Sequence, residues 1–373
     1  MKVLYVTAIS GTMNFFVEHI RALIAKGFNV ELACNDSEKS VNRAYAEMQC
    51  PVHYIGFSRS IKSKDNITAY MEIKKLISNG NYDVVHVHTP IASVITRIAC
   101  KSLKKKSIKV IYTAHGFHFF KGATIINWLV YYPIEKYLSK YTDLIITINQ
   151  EDYSIATKHF KTDVVLVPGM GVNIAQYTAQ KYDKASLKAE LNIAQDMPVL
   201  LTIGELVPRK NQITAIRAVK KMKNDSILMI AGEGFLKDTL NNEIAKLNLQ
   251  NRVFLLGYRN DVDKLYQACD IFVLPSVREG LGLVGIEAMA SGKPIVATSI
   301  NGILDYVEEN VSGFLCKPRD SDEFAKKLDY LIDNPQIASK IGAFNVEHSK
   351  KYDIANSVKA NNDIYIRLAK ENS

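Results

Sequence analysis

The feature that most constrains this chain is an alternation that runs, stops and starts again. Short apolar runs rich in β-branched residues recur through the first half: KVLYVTAI, NVELAC, YDVVHVHT, KVIYTAHG, DLIITIN and DVVLVPG, with helical spacing between several of them, as over Phe15–Ala25. Strands with no polar face must be covered on both sides, and strands joined through helices lie parallel, because the helix carries the chain back to the edge where the next strand begins. The pattern breaks at VPGMGVNIAQYTAQKYDKAS, where glycine and polar residues interrupt the periodicity. It resumes with PVLLTIGE, SILMIAGEG, RVFLLGY, DIFVLPS and KPIVATS as strands, and QITAIRAVKKM, FLKDTLNNEIAKL, DVDKLYQAC and LVGIEAMAS as helices. One core stops growing at roughly 250 to 300 residues, so 373 residues with a restarted pattern predict two doubly wound, Rossmann-like parallel-sheet domains. The boundaries are expected at 1–172 and 190–350, with a helix over 354–370 packing back on the first domain.

Composition narrows the class. A hydrophobic share of 47% and a charged share of 23% are those of a folded globular chain. The longest apolar run outside strands, ATIINWLVYYPI (Ala123–Ile134), has about 12 residues, short of the roughly 17 to 25 that span a bilayer. MKVLYVTAIS has no basic leader, long apolar core or cleavage site and reads as a first strand rather than a signal peptide. Cys34, Cys50, Cys100, Cys269 and Cys316 are scattered, with no C-x-x-C pair, so reduced thiols and a cytoplasmic location are expected.

Charge is uneven. Met1 to Val172 holds 21 Lys and Arg against 13 Asp and Glu, whereas the remainder is nearly neutral at 26 against 25. Arg59 to Lys140 alone has 14 basic and 4 acidic side chains, including KSLKKKSIK from Lys101 to Lys109. Such a field attracts anionic surfaces, and nearby Trp128, Tyr131 and Tyr132 suit the inner face of a membrane. A solvated loop beside an ordinary helix core accounts for the same residues. No nucleic-acid module accompanies the charge, so a nucleic-acid partner is not expected.

In doubly wound sheets ligands bind beyond the carboxyl ends of the strands, so the strand-to-helix loops hold the candidate sites. Four stand out: ISGTMNF, where Gly11 permits a tight turn; TAHGFHFFKG, with His115 and His118; IGELVPRKNQ, with Arg209 and Lys210 before a helix; and REGLGLVGIEAMASGKP, with Glu279 and Glu287 separated by seven residues. In the last, Gly280 and Gly282 lie where the chain turns into a helix, so amide groups and the positive helix end form an anion site. Arg209 and Lys210 would add charge-assisted bonds to a phosphate there. Glu287, a turn into the helix, suits the paired hydroxyls of a ribose, and Glu279 suits sugar hydroxyls on the other side of the anion. The carboxylates would then bracket a nucleotide-sugar rather than act as an acid and base pair.

EGLGLVGIE resembles the E-x7-E signature of retaining glycosyltransferases of the GT-B fold, the family 4-like enzymes of bacterial surface-glycan synthesis. VHVHTP, YTAHGFH, VPGMGVN, GELVPRKN, AGEGFLKDTL, LGYRNDVDKLYQACDIFVLPS and MASGKPIVAT extend the likeness over nearly the whole chain. The resemblance implies two Rossmann-like domains facing across a cleft. It implies that Glu279 contacts the donor sugar, that Glu287 holds the ribose, and that Arg209 and Lys210 hold the diphosphate as it leaves. His115 would lie close to the transferred sugar; Gly11, Gly204, Gly280, Gly282, Leu283 and Val284 would approach the donor; Tyr258 and Arg259 would flank the base; and Thr12 and His118 would meet the acceptor. The implied reaction is a retaining, metal-independent transfer, with no cofactor, from a nucleotide-sugar, UDP-linked, to a lipid-linked or glycan acceptor. The sugar would be an N-acetylhexosamine or hexose, and the product capsule or exopolysaccharide.

Two departures stand out: Glu205 sits where many members have arginine, and Gly11 stands alone where a glycine pair often follows the first strand. Other residues admit plainer readings. His86 and His88 alternate on one strand face without a third metal ligand, DVD at Asp261–Asp263 reads as a helix cap, and AGEGF serves equally as a turn or a ligand contact. A nucleotide-sugar 2-epimerase of the same fold is the alternative. A dinucleotide oxidoreductase would need a G-x-G-x-x-G turn, which ISGTMNF lacks, and a non-catalytic binding module would not require Glu279.

Overall fold

The computed structural model describes residues 1–36, 41–58, 60, 62–103, 108–179, 182–191 and 193–371. Residues 104–107 of the lysine-rich stretch and 180–181 of the boundary segment, together with Arg59 at the start of the basic region, lie outside the described residues. The chain divides into two units, Met1–Gly171 together with the segment from Ile354, and Val172–Asp353.

The first unit carries β1 (Lys2–Ile9), β2 (Asn29–Asn35), β3 (Val52–Tyr54), β4 (Val84–Val87), β5 (Lys109–Ala114), β6 (Leu144–Thr147) and β7 (Asp163–Leu166). They form a parallel sheet in the order β3-β2-β1-β4-β5-β6-β7. Leu4, Val6, Val85 and Ile145 are fully buried on one face of this sheet, and Val3, Tyr5, Val84 and Ile111 on the other, as expected of strands covered on both sides. The Ile354–Glu371 helix packs against Val17–Ala25 and adds Ile364, Tyr365 and Leu368 to the second of these cores.

The second unit repeats the winding with β8 (Val199–Ile203), β9 (Ile227–Ala231), β10 (Val253–Gly257), β11 (Ile271–Leu274), β12 (Ile295–Thr298) and β13 (Gly313–Cys316), in the order β10-β9-β8-β11-β12-β13, again parallel. The boundary segment is not a bare tether: Ile174–Thr178 is a short helix whose buried Tyr177 meets Tyr266 edge-on at 5.6 Å. In both sheets the strand order reverses direction between two central neighbours, β1 and β4 in one and β8 and β11 in the other. Loops leaving such a pair diverge to opposite faces and open a crevice at the carboxyl edge, and that is where ligands of this architecture bind.

Candidate active site

Two loops leave the switch point of the second unit, Gly204–Asn211 after β8 and Pro275–Gly282 after β11. They are stitched together by backbone and amide bonds: Val277 N–H donates to Arg209 O at 2.8 Å, and Asn211 Nδ2 donates to Pro275 O at 2.9 Å. Asn211 caps the Gln212–Lys221 helix in the left-handed region, φ +54°, a conformation asparagine tolerates better than most residues. Gln212, one position on, donates to Gly204 O at 3.4 Å and Glu205 O at 3.1 Å and ties the strand end to the same helix.

The stitching delivers the charges to one place. Lys210 Nζ donates to Glu279 Oε1 at 2.6 Å, Arg209 Nη1 stands 3.7 Å from Glu279 Oε2, and Ser276 Oγ donates to Oε1 at 2.7 Å. Glu279 is 6% exposed, with Lys210 at 12% and Arg209 at 46%, so Lys210 makes the sheltered contact and Arg209 reaches out to water. Glu205, the departure noted above, lies 3.7 Å from Arg209 Nη2 and draws on part of its charge.

Beside Glu279 the chain turns into the Leu283–Ala290 helix through Gly282, at φ +80°. A Cβ there would also stand 3.2 Å from the Tyr306 hydroxyl, so both backbone and space favour glycine. The first amide groups of a helix have no partner within it, and they carry the positive end of its dipole. Arg209, Lys210 and this helix end therefore assemble around one buried carboxylate.

Glu287, one turn in, lies 2.9 Å from the Tyr266 hydroxyl. Burial raises its carboxyl above the usual range, against the opposing pull of the Tyr266 and Tyr177 hydroxyls and Lys210. Neither tyrosine was singled out in the sequence, nor was Ser276; strand-end position was the available signal for Ser276, whereas Tyr177 and Tyr266 come from separate helices. Tyr258 is exposed on the loop after β10, and Arg259 is held by Asp261 through Nε at 2.7 Å and Nη2 at 2.6 Å. That corrects the reading of DVD as a side-chain cap: the Asp261 carboxylate is taken by Arg259 and makes no cap bond. In AGEGF, a Cβ at Gly234 would stand 2.5 Å from Leu206 O, so this glycine admits the close passage of the neighbouring loop.

At the carboxyl edge of the first sheet the chemistry is different. His115 follows β5 directly, and its Nε2 lies 3.2 Å from Nδ1 of buried His88, which follows β4. His86 is bonded to the hydroxyls of Tyr365 at 2.8 Å and Thr113 at 2.7 Å, and its ring centroid is 4.2 Å from that of His88. His19 joins the group and holds Ser357 at 2.9 Å. Burial lowers His115 to about 4, His19 to about 4 and His86 to about 3, and takes His88 well below its ordinary value, so these rings are neutral at pH 7. Among the described residues no cluster of three or more His, Cys, Asp or Glu side chains could hold a metal ion.

Gly11 corrects another expectation. The helix begins at Ser10, immediately after β1, so Gly11 is an ordinary helical residue without positive φ and Thr12 follows it in the same turn. His118 stacks on Tyr131 at 4.4 Å rather than standing at the strand end like His115. Tyr131 and Tyr132 are also half-buried, whereas Trp128 is exposed and shares the outer apolar surface of their helix, Ile125–Leu138, with Ile125, Ile126, Leu129, Val130, Ile134 and Tyr137. Among the described residues no helix is long and apolar enough to cross a membrane. The five cysteines are unpaired.

Residues 183–347 match the family described as glycosyl transferases group 1, and residues 2–149 match the family described as glycosyl transferase 4-like. A Bacillus subtilis protein named as the glycosyltransferase EpsD is 33% identical over 358 residues, spanning 94% of this chain and 92% of that one. The chain belongs to the group 1, family 4-like glycosyltransferases. The UDP-Gal:alpha-D-GlcNAc-diphosphoundecaprenol alpha-1,3-galactosyltransferase of Escherichia coli is 29% identical over 343 residues, covering 87% of this chain and 86% of its own. Among solved structures, Anabaena Alr3699/HepE in complex with UDP and glucose superposes with a TM-score of 0.79 at 22% identity, covering 99% of this chain and 100% of that one. The glycosyltransferase thus has the GT-B pair of Rossmann-like sheets, of seven and six strands.

Proposed function

We propose that this glycosyltransferase moves a hexose or N-acetylhexosamine from a UDP-sugar to a lipid-linked acceptor, with retention of configuration and without a metal ion, in the synthesis of a capsule, exopolysaccharide or similar surface glycan. The observation that carries the reading is the gathering of Lys210, Arg209 and the Gly282 helix end around Glu279 at the switch point of the second unit. A diphosphate placed there meets helix amides and two cations that can turn to it from Glu279 and Glu205, and in this proposal these offset its charge without a metal. As the anomeric C–O bond breaks, UDP leaves with the bonding pair and its negative charge grows, and groups fixed in advance stabilise that charge without reorganising. The acceptor hydroxyl oxygen forms the new bond on the same face and passes its proton to the departing phosphate oxygen.

Glu279 has a double part in this proposal. It holds Lys210 in place before the donor arrives and accepts hydroxyls of the sugar once it is bound. Glu287 accepts from the ribose, and its link to Tyr266 fixes the carboxylate for that purpose. His115, held neutral, offers a hydrogen bond to the transferred sugar without adding positive charge. The Escherichia coli relative, whose name gives a UDP-sugar donor and a diphosphoundecaprenol acceptor, supports the substrate classes. Both relatives named above carry transferase names, so the epimerase alternative gains nothing from them.

The exposed apolar side of Ile125–Leu138, flanked by exposed Lys121, Lys136 and Lys140, supports adsorption to an anionic bilayer, where such an acceptor resides. Screening UDP- and GDP-sugars for donor hydrolysis and thermal protection tests the donor. A UDP-sugar is expected to be turned over with EDTA present, and Glu279→Ala to bind UDP yet fail to transfer. Turnover that requires a divalent metal, or a preference for GDP-sugars, overturns the proposal.

A further inference from the structure

The first unit contains a cavity that the sites above do not use. It is about 190 Å³ in volume and is walled by Ile91, Val94 and Ile95 of the Pro90–Leu103 helix, Phe117 and Phe119 of the loop after β5, and Ile134 of Ile125–Leu138. Pro90–Leu103 begins just past β4, and Phe117 lies two residues beyond His115, so the cavity sits at the carboxyl edge of the sheet. His118, expected at the acceptor, lines it as well. Asn66, Tyr112, Tyr131 and Glu135 also line it, but Glu135 is already bonded to buried Arg97 at 2.7 Å, so a sugar would leave most of its hydroxyls unpartnered here, which is costly. A cavity of about 150 Å³ holds one benzene, so this one takes roughly one or two five-carbon units.

Ile134 ties the cavity to the outside. It lines the cavity and is itself 39% exposed, on the helix whose outer residues Ile126 and Leu129 stand 69% and 71% exposed. A short slot that shares a wall with an exposed apolar helix face suits a chain whose first units leave the bilayer while the rest stays in it. Exposed Lys121 and Lys136 beside that face complement an anionic diphosphate at the head of such a chain.

We propose that this cavity binds the isoprene units nearest the diphosphate of a polyprenyl-diphosphate-linked acceptor. The inference rests on the lipid-linked reading above and adds where in the fold the lipid is recognised.

The single tryptophan, Trp128, has its ring 5.5 Å from that of Phe119 in the cavity wall, so its emission reports occupancy. Titrating the full chain with farnesyl diphosphate is expected to give a saturable change in that emission, which inorganic diphosphate does not reproduce. Val94→Phe, which puts a ring into the cavity, is expected to weaken farnesyl diphosphate at least tenfold while UDP affinity and Tm hold; Ile91→Phe serves as a second filling variant. The outer-face pair Ile126→Ser and Leu129→Ser is expected to leave farnesyl diphosphate affinity within twofold. No saturable response, equal affinity in both filling variants, or loss of binding through the outer-face pair alone overturns the slot. Transfer assays separate this failure from failure of the wider reading. A polyprenyl-linked acceptor used with unchanged KM by the filling variants overturns the slot alone, whereas equal transfer by the native chain to a water-soluble glycan overturns the lipid-linked acceptor itself.

Discussion

The two units wind the same way and prepare their carboxyl edges oppositely. In the second, Lys210, Arg209 and Glu279 interlock at the switch point, charges held in register before any ligand arrives. In the first, His19, His86, His88 and His115 crowd together uncharged against the Tyr5 and Phe16 core, and a largely apolar cavity opens in the other core. A parallel sheet fixes where a ligand sits but not its sign; the loop residues decide that. One edge gathers fixed charges, the other neutral rings.

The largest effect expected from breaking the charged edge comes from Lys210→Ala. Removing one fixed donor to a developing anion costs about 2.7–4 kcal/mol, roughly 10² to 10³ in kcat. Arg209→Ala should cost less, because its half-exposed guanidinium is screened by water where Lys210 is sheltered. Single-turnover transfer rates of the two variants check the order, and equal losses would contradict it.

The neutral edge is tested by acid. A histidine whose folded pKa is lowered binds its proton more readily when unfolded, so its contribution to stability is complete above about 6.5 and is lost as pH falls toward its folded value. Stability should fall between pH 6.5 and 4 for His19 and His115, and on to about 3 for His86, by up to about 1.4 kcal/mol per pH unit for each fully buried ring. Denaturant melts at stepped pH should show this slope, with a shallower one in His86→Asn. A flat profile would mean that the cluster opens to water before it titrates.

A smaller effect belongs to Glu287→Gln. The amide can still accept from Tyr266, and burial already disfavours the carboxylate's charge, so Tm should hold or rise. UDP affinity should drop about tenfold, roughly the value of one charge-assisted bond, as read by calorimetry. Smallest is Asp261→Asn: its pair with Arg259 is partly exposed, and loss of about 0.2–1 kcal/mol in stability is expected from thermal melts.

The winding was legible because continuous apolar strands alternate with helices twice over. Two strands escaped: β3, three residues at a sheet edge with a half-exposed surface, and β13, four residues opening on glycine. Edge strands this short carry too little pattern to stand out from a loop. In the site, Glu279, Lys210 and Arg209 were readable from spacing and strand-end position. The bonds that aim them were not. Asn211 finds Pro275 across 64 residues and His86 finds Tyr365 across 279, and no local periodicity encodes such pairings. Gly11 misled for the opposite reason: a glycine after a strand signals a turn, but the helix there starts one residue earlier and leaves no turn to make.

The return of the helix starting at Ile354 to the first unit sets an order on biosynthesis. Its Tyr365 completes the bonding of His86, and its Ser357 gives His19 its Nε2 partner, yet both are translated only after all of Val172–Asp353. While the ribosome is still making the second unit, the first can gather its sheet but must leave those imidazoles short of partners. The nascent chain thus keeps one flank of its earliest core open until the segment from Ile354 has left the ribosome.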